Sequence, residues 1–467
     1  AERMSMEIPR GYWQLVFEHY VRSQSSDGTW RYGVAPGPPA VGGNYGQYPP
    51  AGMTTAGLAN LLVAWENVHA RDFVQCGRNP DLPQITKAAQ WIGDNLGRNH
   101  NGYHYYLYAL ERCSLATGLK YLGGKDWYKE PATRLLNTQR ADGSWARVGF
   151  GDSSDTIATA FALIFLARGR NPVMINRLQY PGDWNNRPAA LSALTRWVGR
   201  TFESEINWQI VDLSTAVADW HDAPILLITG HKAPTFTNEQ IDKLRRFVQQ
   251  GGLIFTVAEC RGQGMAFDIA WRGKPGFPGI YQKLFPDYEL RALPPDSPIF
   301  KGHFNLRRRI PMWGLSNGVR LLAVHTTDDV TLPWQTNATS TGLDYFEMAV
   351  NLSMLVNDKA LGRPRGTSPW PDEPTGQPAA TVPVARVKYN GNWNPEPLAW
   401  QRFDLLMQRH WKTKVTATAV TADKLNANAT PVAAMTGTNE LKLTDEEKKG
   451  IKAYVEGGGT LVVDAAG

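Results

Sequence analysis

Apolar residues recur at helical spacing in six segments of the N-terminal region: Gly11–Ser23, Met53–Val68, Leu82–Leu96, Tyr103–Leu119, Lys125–Thr138 and Asp155–Ala167. Clusters of Gly, Pro and Asn separate them. Segments this short, joined this tightly, predict stacked helical hairpins over residues 1–171. From residue 172 the pattern changes. Short apolar runs at Val173–Tyr180, Asn207–Leu213, Pro224–Thr229, Leu253–Ala258 and Val319–His325 alternate with helical periodicity. That alternation predicts an open, doubly wound parallel sheet over 172–360. Thr237 and Gln240 have the spacing of a capping box, and Gly251-Gly252 ends the helix they start. Residues 361–381, rich in Pro, Gly and Thr, read as an extended tether. Residues 382–467 resume the alternation, with strands at Ala385–Tyr389, Lys414–Val420 and Val432–Thr436 and a helix near Leu398–His410.

The resumed segment is a partial copy of the first. Pro224–Cys260 aligns with Pro431–Gly467 without a gap, bringing Thr229-Gly230 onto Thr436-Gly437, Thr237 onto Thr444 and Gly251-Gly252 onto Gly458-Gly459. RLQYPGDWN (Arg177–Asn185) likewise matches RVKYNGNWN (Arg386–Asn394). The expected fold class is multidomain α and α/β: a helical array, a doubly wound parallel-sheet domain and an incomplete second copy of it. The copy stops on a strand of the buried type, and Ala1 is not an initiator Met. The chain is therefore expected to be a processed or partial product, continued beyond Gly467 or completed by another chain. Duplication also supplies a control, since any catalytic group in the first copy can be sought in the second.

Composition narrows the classes. Hydrophobic content of 42% with 20% charged residues excludes wholesale disorder. The net charge of +6 is mild, and its densest run, Arg307-Arg308-Arg309, reads as a solvated loop. No basic stripe interleaved with aromatics is present, so no nucleic-acid partner is expected. The longest apolar stretch, Ile157–Ala167, is too short to span a bilayer. Cys76, Cys113 and Cys260 are odd in number and far apart, and are expected to give neither a disulfide framework nor a zinc site. Neither a metal nor a cofactor is expected.

Two hairpin ends share the pattern Q-x-x-x-G-x-W: Gln24 to Trp30 and Gln139 to Trp145. Asp-Gly makes the turn, Trp packs back as an apolar plate, and Gln serves a neighbouring backbone group. A structural role is favoured over a catalytic one. The motif resembles the repeat signature of the terpenoid cyclase and protein prenyltransferase superfamily. That resemblance covers residues 1 to about 171 and implies part of an α/α toroid around a central cavity. Squalene–hopene-type cyclases are similar at Asp152-Ser-Ser-Asp-Thr156, where their D-x-D-D-T motif carries a general acid. Ser154 stands at the acid's position, and Asp152 and Asp155 match only its supporting neighbours. A hydroxyl cannot protonate a polyene. The sequence favours a helix cap at Ser153 or Ser154 with Asp155 in the first turn. His100 and His104 have no Cys placed to complete a zinc site and read as core or surface histidines.

In the α/β region, sites lie at the carboxyl ends of strands. Two ends stand out, at His231 and at Glu259-Cys260. The second resembles the nucleophile turn of class I glutamine amidotransferases. It offers Cys260 as nucleophile with His231, His303 or His325 as base. In the second copy Cys260 becomes Gly467, Glu259 becomes Ala466 and His231 becomes Thr438, and Ala258 replaces the first glycine of a G-x-C-x-G elbow. A buried or idle Cys260 is the favoured expectation.

DWYKEP and SDTIATAFALIFLARGR followed by RLQYPGDWN resemble, as a whole, a bacterial family of unknown function, DUF4159, whose toroid-bearing members are typical of Planctomycetes. The resemblance implies export or envelope association and no defined reaction. The leading expectation is a non-catalytic binding or scaffold protein with protein partners or self-assembly, and with room for an apolar or isoprenoid ligand in the toroid. Two enzymatic alternatives stand beside it. One is an isoprenoid-class enzyme using Asp152 and Asp155; the other is a Cys-dependent amidotransferase or hydrolase at Cys260, with His231 and Glu259 nearby.

Overall fold

The computed structural model describes residues 8–31, 51–98, 100, 102–260, 277–438 and 440–465. Six helices come first: α1 (Arg10–Ser23), α2 (Ala51–Val68), α3 (Pro83–Asn95), α4 (Tyr103–Thr117), α5 (Lys129–Thr138) and α6 (Asp155–Gly169). Helices α2, α4 and α6 pack side by side, with α1 and α3 against α2 and α5 against α6. A small antiparallel hairpin, β1 (Tyr121–Leu122) and β2 (Lys125–Asp126), sits between α4 and α5.

The hairpin ends explain the Q-x-x-x-G-x-W motif. Gly28 and Gly143 take φ of +88° and +83°, open to glycine without steric cost. The indoles turn inward, Trp30 and Trp145 each 2% exposed. Their Nε1–H groups donate to Tyr20 O at 2.9 Å and Leu135 O at 2.8 Å. Gln24 and Gln139 donate to the carbonyls of Gly28 and Gly143. Each indole thus buries its ring and keeps its hydrogen bond.

The first sheet has seven strands: β3 (Val173–Gln179), β4 (Asn207–Asp212), β5 (Ile225–Gly230), β6 (Leu253–Ala258), β7 (Leu290–Ala292), β8 (Met312–Ser316) and β9 (Leu321–Thr326). Their order is β4-β3-β5-β6-β9-β8-β7. The first five positions are parallel, and β8 and β7 add an antiparallel edge. Helices α7 (Ala190–Thr201), α8 (Val217–Trp220), α9 (Asn238–Gln249), α10 (Phe277–Leu284), α11 (Thr331–Gln335) and α12 (Leu343–Val356) accompany it. All six residues of both β5 and β6 are buried, as expected for parallel strands covered on both faces. Thr237 caps α9 in a capping box with Gln240, and the helix turns Ile241, Leu244, Phe247 and Val248 into the core.

The second sheet contains β10 (Ala380–Lys388), β11 (Thr413–Thr421), β12 (Val432–Gly437) and β13 (Thr460–Ala465), with helices α13 (Ala399–Trp411) and α14 (Asp445–Glu456). Its order, β11-β10-β12-β13, is all parallel and follows that of β4-β3-β5-β6. Ile225 pairs with Leu253 and Val432 with Thr460, so the aligned positions also share a register. Thr444 and Glu447 form the matching capping box on α14. One difference follows from what lies alongside: Val462 and Val463 on β13 are 51% and 61% exposed, whereas β6 is flanked by β9 and buried throughout.

The segment read as a tether is anchored at several points, most firmly around Arg365. Arg365 is buried, donates to Gln209 Oε1 at 2.8 Å and stacks over Trp127. Gly366 N donates to Asp222, which also accepts from Lys120 Nζ at 2.5 Å, while Lys120 pairs with Asp126. This buried ionic knot ties the helical layer, the first sheet and the chain leading to the second sheet.

Candidate functional site

The carboxyl ends of β3, β5, β6 and β9 converge on a cluster of buried polar groups. Arg177 sits inside β3, whose first six residues are all buried, and its guanidinium is buried with them. Its Nη1 donates to Asn185 Oδ1 at 3.0 Å and to Arg187 O at 2.8 Å. Burial pulls its pKa down to about 10, against the opposing pull of Glu259. Glu259 follows β6 and is 2% exposed. Asn186 Nδ2 donates to its Oε2 and Thr331 Oγ1 lies 2.8 Å from its Oε1. Burial pushes its pKa up to about 7, reinforced by the Asp329 charge and opposed by Arg177. The Thr331 hydroxyl also lies 2.8 Å from Asp329 Oδ1. One hydroxyl proton cannot serve both carboxylates. A proton on Glu259 resolves the conflict: Glu259 donates to Thr331, and Thr331 donates to Asp329.

The turn after β3 organises the rest. Tyr180 OH donates to Thr229 O at 2.7 Å, and Thr229 Oγ1 donates to Trp184 O. Asp183 accepts from the His231 backbone N–H, the His231 ring and Asn186 Nδ2. Beyond these bonds the turn grips the helical layer. Asn186 Oδ1 accepts from Gly77 N at 2.9 Å, Asn185 O accepts from Asn79 Nδ2 at 2.6 Å, and Arg187 Nη1 donates to Phe73 O at 3.0 Å.

That grip brings Cys76 onto Cys260. The two form a disulfide with Cα atoms 6.2 Å apart. The expectation that the cysteines form no disulfide is therefore overturned for Cys76 and Cys260. A separation of 184 residues says nothing about distance once the loop after α2 docks on the sheet's carboxyl edge. Cys113 is free and buried in α4. Arg187 Nη2 lies 3.8 Å from Cys260 Sγ and donates to Asp329 Oδ2 at 3.0 Å, and Cys260 N donates to that same oxygen at 2.9 Å. Cys260 adopts φ of +70°, a left-handed conformation that a non-glycine residue rarely takes. Ligand atoms of Cys76, Cys260 and Asp329 lie within 4.8 Å of one another. The Arg187 guanidinium among them opposes a cation.

The histidines proposed as bases for Cys260 lie elsewhere. His231 is held by Asp183. His325 is buried against Thr256, and burial lowers its pKa to about 3. His303 packs on Phe202 and Phe304. The cleft beside Cys260, about 630 Å³, is lined by Cys76, Arg187, Arg308, Asp329 and Tyr345 and by no histidine among the described residues.

The cyclase-like residues also have other work. Ser154 caps α6, accepting from Ile157 N at 3.3 Å. Asp152 is fully buried and accepts from the backbone N–H groups of His104, Tyr105 and Val148 and from His104 Nδ1 at 2.8 Å. Burial alone would raise its pKa, but these bonds outweigh it and hold the carboxyl below the usual range. That is the reverse of a proton donor to a polyene. Asp155 is held low by the Arg147 N–H and by Arg140. His100 Nε2 donates to Asn95 O at 3.0 Å inside the helical layer.

The second sheet repeats the framework of the turn. Tyr389 OH donates to Thr436 O at 3.0 Å, Thr436 Oγ1 donates to Trp393 O, and Arg386 donates to Asn394. Here the turn grips the β8–β9 connection of the first sheet. Asn392 Nδ2 donates to Asn317 O at 2.7 Å; Asn317 Nδ2 donates to Pro395 O and Glu396 Oε1; Arg320 Nε pairs with Glu396 at 2.7 Å. The positions aligned with Glu259 and Cys260, Ala466 and Gly467, lie outside the described residues. Sequence reasoning missed Arg177, Asn186, Arg187, Asp329, Thr331 and Cys76. Arg177 alone had a signal, as the first residue of the repeated R-x-x-Y-x-G-x-W-N.

Among the described residues no helix is long and apolar enough to cross a membrane. No curated protein and no solved structure matches the chain. Residues 174–353 and 383–467 match a family described as Domain of unknown function (DUF4159), covering both sheets and more than half of the chain. The chain belongs to the DUF4159 family.

Proposed function

We propose that the chain is a non-catalytic scaffold of the bacterial envelope, of the Planctomycete type, assembled from a partial toroid and two amidotransferase-like sheets. One observation carries the reading. In both sheets the turn after the first strand is spent on holding the preceding part of the chain: residues 73–79 in one case, the β8–β9 connection in the other. An edge that is a ligand-binding crevice in open α/β folds here also holds docked chain. The disulfide supports an oxidising compartment. Exposed Val63, Tyr105, Ile157 and Leu163 on the neighbouring helices α2, α4 and α6 support a protein partner or an apolar ligand on the helical layer.

The test is a pair of substitutions at the second docking face, Asn392→Ala with Glu396→Ala, followed by small-angle scattering. The radius of gyration should rise as the second sheet detaches; unchanged dimensions would contradict the docking role. The φ of Cys260 favours one other reading, a Cys-dependent hydrolase of amides. Release of ammonia from glutamine that Cys260→Ala abolishes would replace the scaffold reading with that one.

A further inference from the structure

We propose that Cys76–Cys260 is a thiol–disulfide exchange site that takes an acidic low-molecular-weight thiol from the adjoining cleft. The proposal holds whether or not the strand-end turn is a docking device. Both cysteines are half-buried and both line the cleft of about 630 Å³, so an incoming thiol reaches the sulfurs without unfolding the chain. Disulfides open to solvent tend to be the labile ones. Among the described residues the cleft carries two guanidiniums, Arg187 and Arg308, against one carboxylate, Asp329. Arg308 is steadied by Tyr345, whose hydroxyl it meets at 3.0 Å. This balance suits a thiol that bears carboxylates. Arg187 is 2% exposed, its Nη2 faces Cys260 Sγ, and its Nε has no hydrogen-bond partner among the described residues. A thiolate left on Cys260 therefore meets a fixed, incompletely satisfied cation.

The exchange follows from that asymmetry. The sulfur beside the cation is the better leaving group. The external thiolate attacks Cys76 Sγ; the Cys76–Cys260 bond breaks and its electron pair stays on Cys260 Sγ beside Arg187. A second external thiolate attacks the external sulfur of the mixed disulfide and releases Cys76 as thiolate. Two external thiols become one disulfide, and the protein gains the two electrons.

The probe is glutathione, reduced and oxidised in varied ratio, added to the intact protein. Acid quenching and iodoacetamide labelling are then read by peptide mass spectrometry. Cys76 and Cys260 should convert reversibly between labelled and unlabelled with the ratio, the intermediate should carry glutathione on Cys76, and Cys113 should not respond. Arg187→Met should raise the ratio of squared reduced to oxidised glutathione at half-reduction by about tenfold, the worth of one pH unit of thiolate stabilisation. Because that variant removes a buried ion pair, Arg308→Gln is the second arm: it should slow reduction by glutathione and leave reduction by neutral 2-mercaptoethanol unchanged. A pair that glutathione reduces only in denaturant would overturn the proposal. So would glutathione on Cys260, equal slowing of both reagents by Arg308→Gln, or three free thiols before any reductant is added.

Discussion

Glu259→Gln isolates the buried proton inferred between Glu259, Thr331 and Asp329. The side chain is buried, and its pKa lies at about 7 against an ordinary value of 4.5. A carboxyl raised on folding contributes stability that is fully present below pH 4.5 and is lost as pH rises through about 7. The interval amounts to about 3 kcal/mol, at roughly 1.4 kcal/mol per pH unit. Glutamine mimics the neutral acid at every pH: its amide N–H can donate to Thr331 and its carbonyl can accept from Asn186. Urea unfolding of the two proteins from pH 4 to 8.5 should give curves that coincide near pH 4.5 and separate up to pH 7. Above pH 7 they should run parallel, with the variant more stable. Parallel curves throughout, or a variant less stable at pH 8, would mean that Glu259 is ionised and held by Arg177, and would refute the proton assignment.

Other substitutions test separate parts of the account. Ser154→Ala should cost about 1 kcal/mol in urea unfolding, and Ser154→Asp, which can still cap α6, should cost much less. Lys120→Met leaves the buried Asp222 and the partly buried Asp126 without their shared ammonium and should cost about 3 kcal/mol, the lower end for a broken buried pair because Arg365 remains near Asp222. A double-mutant cycle on Arg320→Ala and Glu396→Ala should return a coupling of about 1 kcal/mol for a pair that is only partly exposed. A coupling near zero would remove this pair from the docking face.

Local signals in the sequence carry the local structure. Gln139, Gly143 and Trp145 specify a hairpin end because each residue satisfies a short-range demand of the turn. Thr237 and Thr444 mark helix starts for the same reason. The contacts that build the site are of another kind. Cys76 meets Cys260 only because residues 73–79 dock on the turn after β3, and periodicity carries no information about docking. Arg187 and Asp329 form a pair between segments separated by β4 to β9. The antiparallel edge β7–β8 also escapes the pattern: β7 is three residues long and mostly exposed, so it lacks the apolar run that marks the central strands. Cys260 shows both sides: its place at a strand end is legible, and its partner is not.

The central claim is that the turn after β3 is a docking device, although a cleft of about 750 Å³ runs between it and the helical layer. It is tested most directly at the amide of Gly77, which lies in an exposed loop and donates to the side chain of Asn186. Site-resolved hydrogen exchange should find this amide protected in the intact protein and released by Asn186→Ala, while core amides such as that of Leu227 keep their protection. Free exchange at Gly77 before any substitution, or protection that survives Asn186→Ala, would contradict the account.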